Sequence, residues 1–215
     1  NMYLDNPLLY IEDLFEECLY GDTAAGRDTI GTKESILKLD RQQILAYAGS
    51  QYSADKIIVS LAGGFKPQAV KLINKYFNSF SKKNYQEKST TDDRQNRPNL
   101  KLFYKPTDQA HLSLGVRTYG FADGKEMTAK IISLILGGSM SSRLFTELRE
   151  RRGLAYYVRT HNEPYTDSGY LATQAGVPLD KLAQALKIIL NEYKKFTEKL
   201  VSAEELSRVK QFLIG

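Results

Sequence analysis

The stretch GGSMSSRLFTELRERRGLAYYV occupies positions 137–158 and sets four arginines, Arg143, Arg149, Arg151 and Arg152, between a glycine pair and two tyrosines. Gly137 and Gly138 read as the stop of one helix, and Ser141 or Ser142 as the cap of the next. That second helix ends near Gly153, where a strand begins at about 154. A helix–glycine–strand corner of this kind can bring Arg149, late on the helix, and Tyr156, early on the strand, onto one surface. A guanidinium offers a fixed fork of N–H donors and a phenol offers one more. Together they suit a carbonyl oxygen that gains negative charge, for which preorganised donors supply about 3 kcal/mol each. The plainer reading is a helix arginine facing water and a strand tyrosine packing inward. The residues by themselves leave both open.

Working outward, the chain alternates helix and strand signals without a regular βα repeat. A helix is expected from Pro7, with Leu8, Ile11, Phe15, Cys18 and Leu19 at helical spacing. After a Gly/Thr/Asp loop, Asp40 and Gln43 match a capping box for a helix over 41–50. Lys56–Ala62 reads as a buried strand closed by Gly63 and Gly64. Val70, Ile73, Tyr76, Phe77 and Phe80 mark the apolar face of the following helix. Residues 81–99 lose nearly all apolar character, as a solvated linker does. Two strands are then expected, LKLFYKP from Leu100 and QAHLSLGVRTYG from Gln109. Asp123 with Glu126 opens a helix over 124–136, strands follow at 154–162 and 169–176, and a long helix runs over 179–199. Ser202 with Glu205 caps the last helix. The pattern is α+β with mostly antiparallel sheets and helices packed on one face.

Bulk composition narrows the function classes. Of 215 residues 42% are hydrophobic and 26% charged, enough to build a packed core. No apolar run approaches the roughly 18 residues of a membrane helix, and the acidic opening does not resemble a signal peptide. No membrane association is expected. The net charge of +5 is too modest to imply nucleic acid, and none is expected as a partner. Cys18 is the sole cysteine, so no internal disulfide forms; this fits a reducing compartment, the cytoplasm before the periplasm. His111 and His161 lie far apart in separate strands, with no second ligand at zinc spacing, and each reads as a strand residue with an ordinary hydrogen bond. No G-x-S-x-G serine elbow or Walker spacing occurs. The chain opens on Asn1 and reads as a piece of something longer.

Residues 137–158 resemble the arginine/tyrosine segment of the insulinase (pitrilysin) family of zinc metallopeptidases, which includes the mitochondrial processing peptidases. NMYLDNPLLYIEDLFEECLYGDTAAGRDTIGT is similar to the segment after that family's last zinc ligand. KIIVSLAGGF corresponds to a strand of its first domain, and DQAHLSLGVRTYG to the strand opening its second half. The resemblance implies two half-domains: residues 1–85 as the later part of the metal-bearing one, 86–99 as a polar linker, and 100–215 as the second, truncated at its C-terminal end. It implies that Arg149 and Tyr156 grip the substrate near the scissile carbonyl, with Gly137, Gly138, Ser141 and Ser142 at the substrate-binding segment. His-x-x-Glu-His does not occur in the sequence. Zinc is therefore implied for the full-length parent, and neither zinc nor peptide cleavage is expected of these residues alone. The implied partners are peptide or unfolded polypeptide, the missing N-terminal half-domain, and a homodimeric or heterodimeric mate. The rival reading is a non-catalytic family subunit that binds peptide or scaffolds an assembly.

Overall fold

The computed structural model describes residues 6–82, 87–92 and 94–215. The expected first-half limit at 85, linker residues 86 and 93, and the opening residues 1–5 lie outside them. Two compact units are present: the chain up to Asp28 with Thr91–Gly215, and Thr29–Thr90.

The larger unit is built on a three-stranded antiparallel sheet in the order β1-β3-β2, with β1 at Gln109–Thr118, β2 at Tyr157–Pro164 and β3 at Gly169–Pro178. The central strand GYLATQAGV is buried along its whole length. Side chains alternate across a strand, so β3 serves two cores. On one face Leu171, Ala175 and Val177 pack with Leu136, Leu144, Leu148, Leu154, Ala185 and Ile189. On the other, Tyr170 and Ala172 pack with Leu19 and Tyr20.

The first face is covered by helices α5 (Glu126–Gly137) and α6 (Leu182–Glu198), with α7 (Ala203–Ile214) against α5. Gly137 lets α5 come close to β2: a Cβ there would stand 2.5 Å from the backbone nitrogen of Thr160. Within this core the hydroxyls of Thr160 and Thr173 bond at 2.7 Å, and Thr173 meets the Tyr193 hydroxyl at 2.9 Å. These three hydroxyls are thus paired, as their desolvation demands. The second face receives α1 (Pro7–Tyr20), whose start is capped by Asn6 Oδ1 accepting from the Leu8 N–H at 3.1 Å. Its Glu16 carboxylate accepts from the Tyr170 hydroxyl at 2.8 Å and from that of Tyr165, while Glu12 lies 3.2 Å from His161 Nε2. Burial and the neighbouring carboxylate hold both phenols well above their ordinary pKa.

The smaller unit contains α2 (Lys33–Lys38), α3 (Arg41–Gln51) and α4 (Gln68–Phe77). Asp40 and Gln43 form the expected capping box, each side chain bonded to the other's N–H at 2.8 and 3.0 Å. Its apolar side chains lie largely at the surface, with Ile58 91% exposed.

Several local expectations are corrected. Lys56–Ala62 and LKLFYKP are not strands: a strand needs a neighbour to take up its N–H and C=O groups, and no described strand runs beside either. Asp123 does not box with Glu126; its Oδ1 accepts from the Lys125 N–H at 2.8 Å, and α5 starts two residues later than expected. Ser202 accepts from the Glu205 N–H at 3.2 Å, but the Glu205 carboxylate turns to Arg143, a charged donor stronger than the Ser202 N–H. The helix over 142–153 is mostly a π-helical turn, Phe145–Glu150.

Gly137→Ala forces α5 off β2 and is expected to cost about 1–3 kcal/mol. Gly124→Ala, where a Cβ meets open space, should stay within about 0.5 kcal/mol of the parent chain. Denaturant midpoints of the two variants measure the difference.

Candidate functional site

The corner between the π-helical turn and β2 is tied by backbone bonds at each step. The Arg151 N–H donates to Thr146 O at 2.9 Å, one residue wider than an α-helical bond. The Gly153 N–H donates to Arg149 O at 3.1 Å, and the Leu154 N–H reaches back to Leu148 O at 2.7 Å. Gly153 makes this reversal possible with φ at +58°, a left-handed conformation that glycine adopts without strain. Leu154 and Ala155 then enter the core, and the Tyr156 N–H donates to Gly176 O at 2.9 Å, docking the start of β2 on β3.

The four arginines separate by partner. Arg143 grips Glu205 through two nitrogens, at 2.8 and 2.5 Å, and lies 4.7 Å from the Phe196 ring. Its neighbour's hydrogen bond holds Glu205 below the ordinary carboxylate pKa of 4.5 and raises Arg143. Arg151 and Arg152 both close on Glu147, whose pKa falls chiefly through the Arg152 bond. Arg149 has no carboxylate among the described residues; its guanidinium lies 5.1 Å from the Phe145 ring centroid, exposed to solvent. Tyr156 is 56% exposed, and its hydroxyl has no side-chain partner among them. No hydrogen bond or cation–ring contact joins Arg149 to Tyr156. A groove of about 530 Å³, lined by Arg143, Glu147, Arg151, Lys195 and Glu205 among others, opens beside the turn, and neither Arg149 nor Tyr156 lines it.

The remaining sequence candidates sit at the helix entry. Gly137 is buried against Thr160, and a Cβ on Gly138 would meet Leu134 Cδ2 at 2.5 Å. Ser142 is buried, its Oγ donating to Ser139 O at 2.6 Å, and its own carbonyl accepts the Thr146 N–H at 3.0 Å. Ser141 is exposed, 3.1 Å from Ser139 Oγ. Phe145 and Glu147 were missed from sequence, although each stands four residues before the arginine it contacts, the spacing that makes helix neighbours.

The residues present do not fit a zinc centre. His111 pairs across β3 with Gly176 and His161 with Ala172, four residues or about 13 Å apart along the strand. No group of three or more His, Cys, Asp or Glu that could hold a metal occurs among the described residues. None of the described helices is long and apolar enough to cross a membrane.

The Arg143–Glu205 pair carries a pH signature. Because the folded carboxylate titrates below 4.5, its stabilisation is full above that value and is lost as the pH falls through the lowered one. Thermal melts from pH 7 to 3 should therefore show a smaller acid-induced drop for Glu205→Gln than for the parent chain, starting from a lower value at pH 7.

Comparison with known proteins supplies the family. The family described as "Peptidase M16 inactive domain" matches residues 38–213. The protein described as "Uncharacterized zinc protease YmxG" of Bacillus subtilis is 32% identical over 217 residues, covering 100% of this chain and 52% of that protein. A protein of Rickettsia bellii described as "Uncharacterized zinc protease" is 30% identical over 208 residues, 96% of this chain and 50% of that one. The chain thus spans about half the length of the curated relatives it matches. Among solved structures, a peptidase M16 inactive domain from Pseudomonas fluorescens has a TM-score of 0.86 at 21% identity, covering 100% of this chain and 52% of its own. A protease from Helicobacter pylori has a TM-score of 0.80 at 22% identity, with 98% and 52% covered. These likenesses share the α+β fold built here on β1, β3 and β2. With the family match running from Lys38 to Leu213, the chain belongs to the peptidase M16 family, through its inactive domain.

Proposed function

We propose that this chain is the substrate-gripping part of a zinc-dependent metalloendopeptidase acting on peptides or unfolded polypeptides. Arg149 and Tyr156 donate hydrogen bonds to the carbonyl oxygen of the scissile peptide as it becomes an oxyanion. The single observation behind this is the division of labour among the arginines: three are spent on carboxylates or buried contacts, and Arg149 keeps its donors for something else. A guanidinium presents its N–H groups in one plane, and a phenol adds a donor from a second direction. Exposed to water, such donors are worth little; their effect grows when a bound chain and an opposing wall exclude solvent. Gly137, Gly138, Ser141 and Ser142 fix the start of the turn that carries Arg149, and the extended peptide lies along this segment.

Zinc, when bound to the full-length protein, would supply polarisation of the carbonyl and an activated water; no group of side chains that could hold it occurs among the described residues. In the proposed division, residues up to 85 complete a metal-bearing half, 86–99 link, and residues from 100 form the gripping half. The many exposed large apolar side chains of the smaller unit, Ile58, Leu61, Phe65 and Leu72 among them, support a further layer of protein over it, since so much exposed apolar surface marks interaction sites. A second reading, a non-catalytic subunit that binds peptide for a homologous mate, draws on the description of the matching domain as inactive. His-x-x-Glu-His upstream of Asn1 in the parent protein favours the peptidase, and a degenerate version favours the subunit.

In the full-length protein, Arg149→Ala or Tyr156→Phe should lower peptide turnover by about tenfold or more while zinc content stays unchanged. Turnover equal to the parent in both variants overturns the assignment.

A further inference from the structure

Tyr156 is only useful if the start of β2 is held still, and one contact next to it is suited to that task. Tyr157 follows it and pairs with Gly176 of β3, which on its other side pairs with His111 of β1. Gly176 has no side chain, and the Tyr157 ring fills the space: a Cβ there would lie 2.4 Å from Tyr157 Cε1. The phenol therefore crosses the central strand and reaches the far one, with its oxygen 2.9 Å from His111 Nδ1 and the two rings 5.8 Å apart. Burial pushes Tyr157 up to about 12 and His111 below 6.5. At neutral pH the pair is thus a protonated phenol and a neutral imidazole, joined by one hydrogen bond between the phenol oxygen and Nδ1.

We infer that Tyr157 and His111 are positioning residues for Tyr156, joined by a side-chain bridge over Gly176 that ties all three strands at the level of the corner. Successive strand residues point to opposite faces. Tyr156 immediately precedes the first residue of β2, so holding the Tyr157 ring on the face of Gly176 restricts the directions left to Tyr156. The same level carries the Tyr156 N–H bond to Gly176 O, so the glycine serves both residues: its carbonyl receives one, and its missing side chain admits the other. The contact is half-buried and lies outside both apolar clusters, so it adds orientation rather than core.

The inference rests on the reading of Arg149 and Tyr156 as the carbonyl grip, and three variants separate the two. Tyr157→Phe keeps the ring and removes the hydroxyl. His111→Leu removes the ring nitrogen, while His111→Asn places an amide, able to donate or accept, where Nδ1 stands. In this chain, hydrogen exchange of the Tyr156 amide should accelerate about tenfold in Tyr157→Phe and His111→Leu, and return to within about twofold in His111→Asn, with amides of residues 170–173 unchanged. In the full-length protein the same two variants should lower kcat about tenfold with KM changed less than about twofold, and His111→Asn should restore it. Unchanged exchange at Tyr156, or loss of activity that His111→Asn fails to restore, overturns the bridge. If instead Arg149→Ala and Tyr156→Phe are without effect while the exchange results hold, the bridge stands and the grip falls.

Discussion

Everything in the larger unit depends on the double burial of β3. Leu171, Ala175 and Val177 face one core, Tyr170 and Ala172 the other, and both edges of the strand are paired. A slip of one residue would turn Tyr170 and Gln174 into the leucine-rich side and Leu171 toward the carboxylates of α1. Leu171 and Val177 are each worth about 2 kcal/mol so buried, so the register has little freedom. That rigidity reaches the corner through a single residue, Gly176, whose carbonyl receives the Tyr156 N–H and whose bare surface accommodates the Tyr157 ring. The site is thus positioned by packing several residues away from it.

The arginine-rich turn shows how a charged helix can spend most of its charge on structure and leave one guanidinium without a carboxylate among the described residues. Arg143 fastens α7 to the turn through Glu205. Arg151 and Arg152 neutralise Glu147. Arg149 lies over Phe145, a contact that steadies the guanidinium without consuming its hydrogen-bond donors. The π-helical register belongs to the same picture, because such turns recur where a side chain must be aimed. Nothing in the residue types of 145–150 accounts for it.

Much of the fold was legible in the sequence because local signals agreed with tertiary demand. Pro7, the Asp40–Gln43 box, the alternation in β1 and the stripe of α6 all fall on real elements. Lys56–Ala62 and LKLFYKP were misread because an apolar run reports that it wants burial, not that a neighbouring strand is at hand. Gly176 gave no usable signal and Gly137 signalled only the end of α5, since the close approach that a missing side chain permits depends on what stands opposite it. In the candidate site, the sequence marks Arg149 and Tyr156 only as candidates. The feature that singles out Arg149, its lack of a carboxylate, needed Glu147 and Glu205 to be placed first.

The central claim is that Arg149 meets charge developing on a carbonyl rather than the resting peptide. The most direct measurement compares, in the full-length protein, binding of a tetrahedral phosphinic peptide with binding of the matching uncleaved amide, before and after Arg149→Ala. The account predicts a loss of about tenfold or more for the phosphinic peptide and less than about twofold for the amide. Equal losses for both ligands, or none for either, would contradict it.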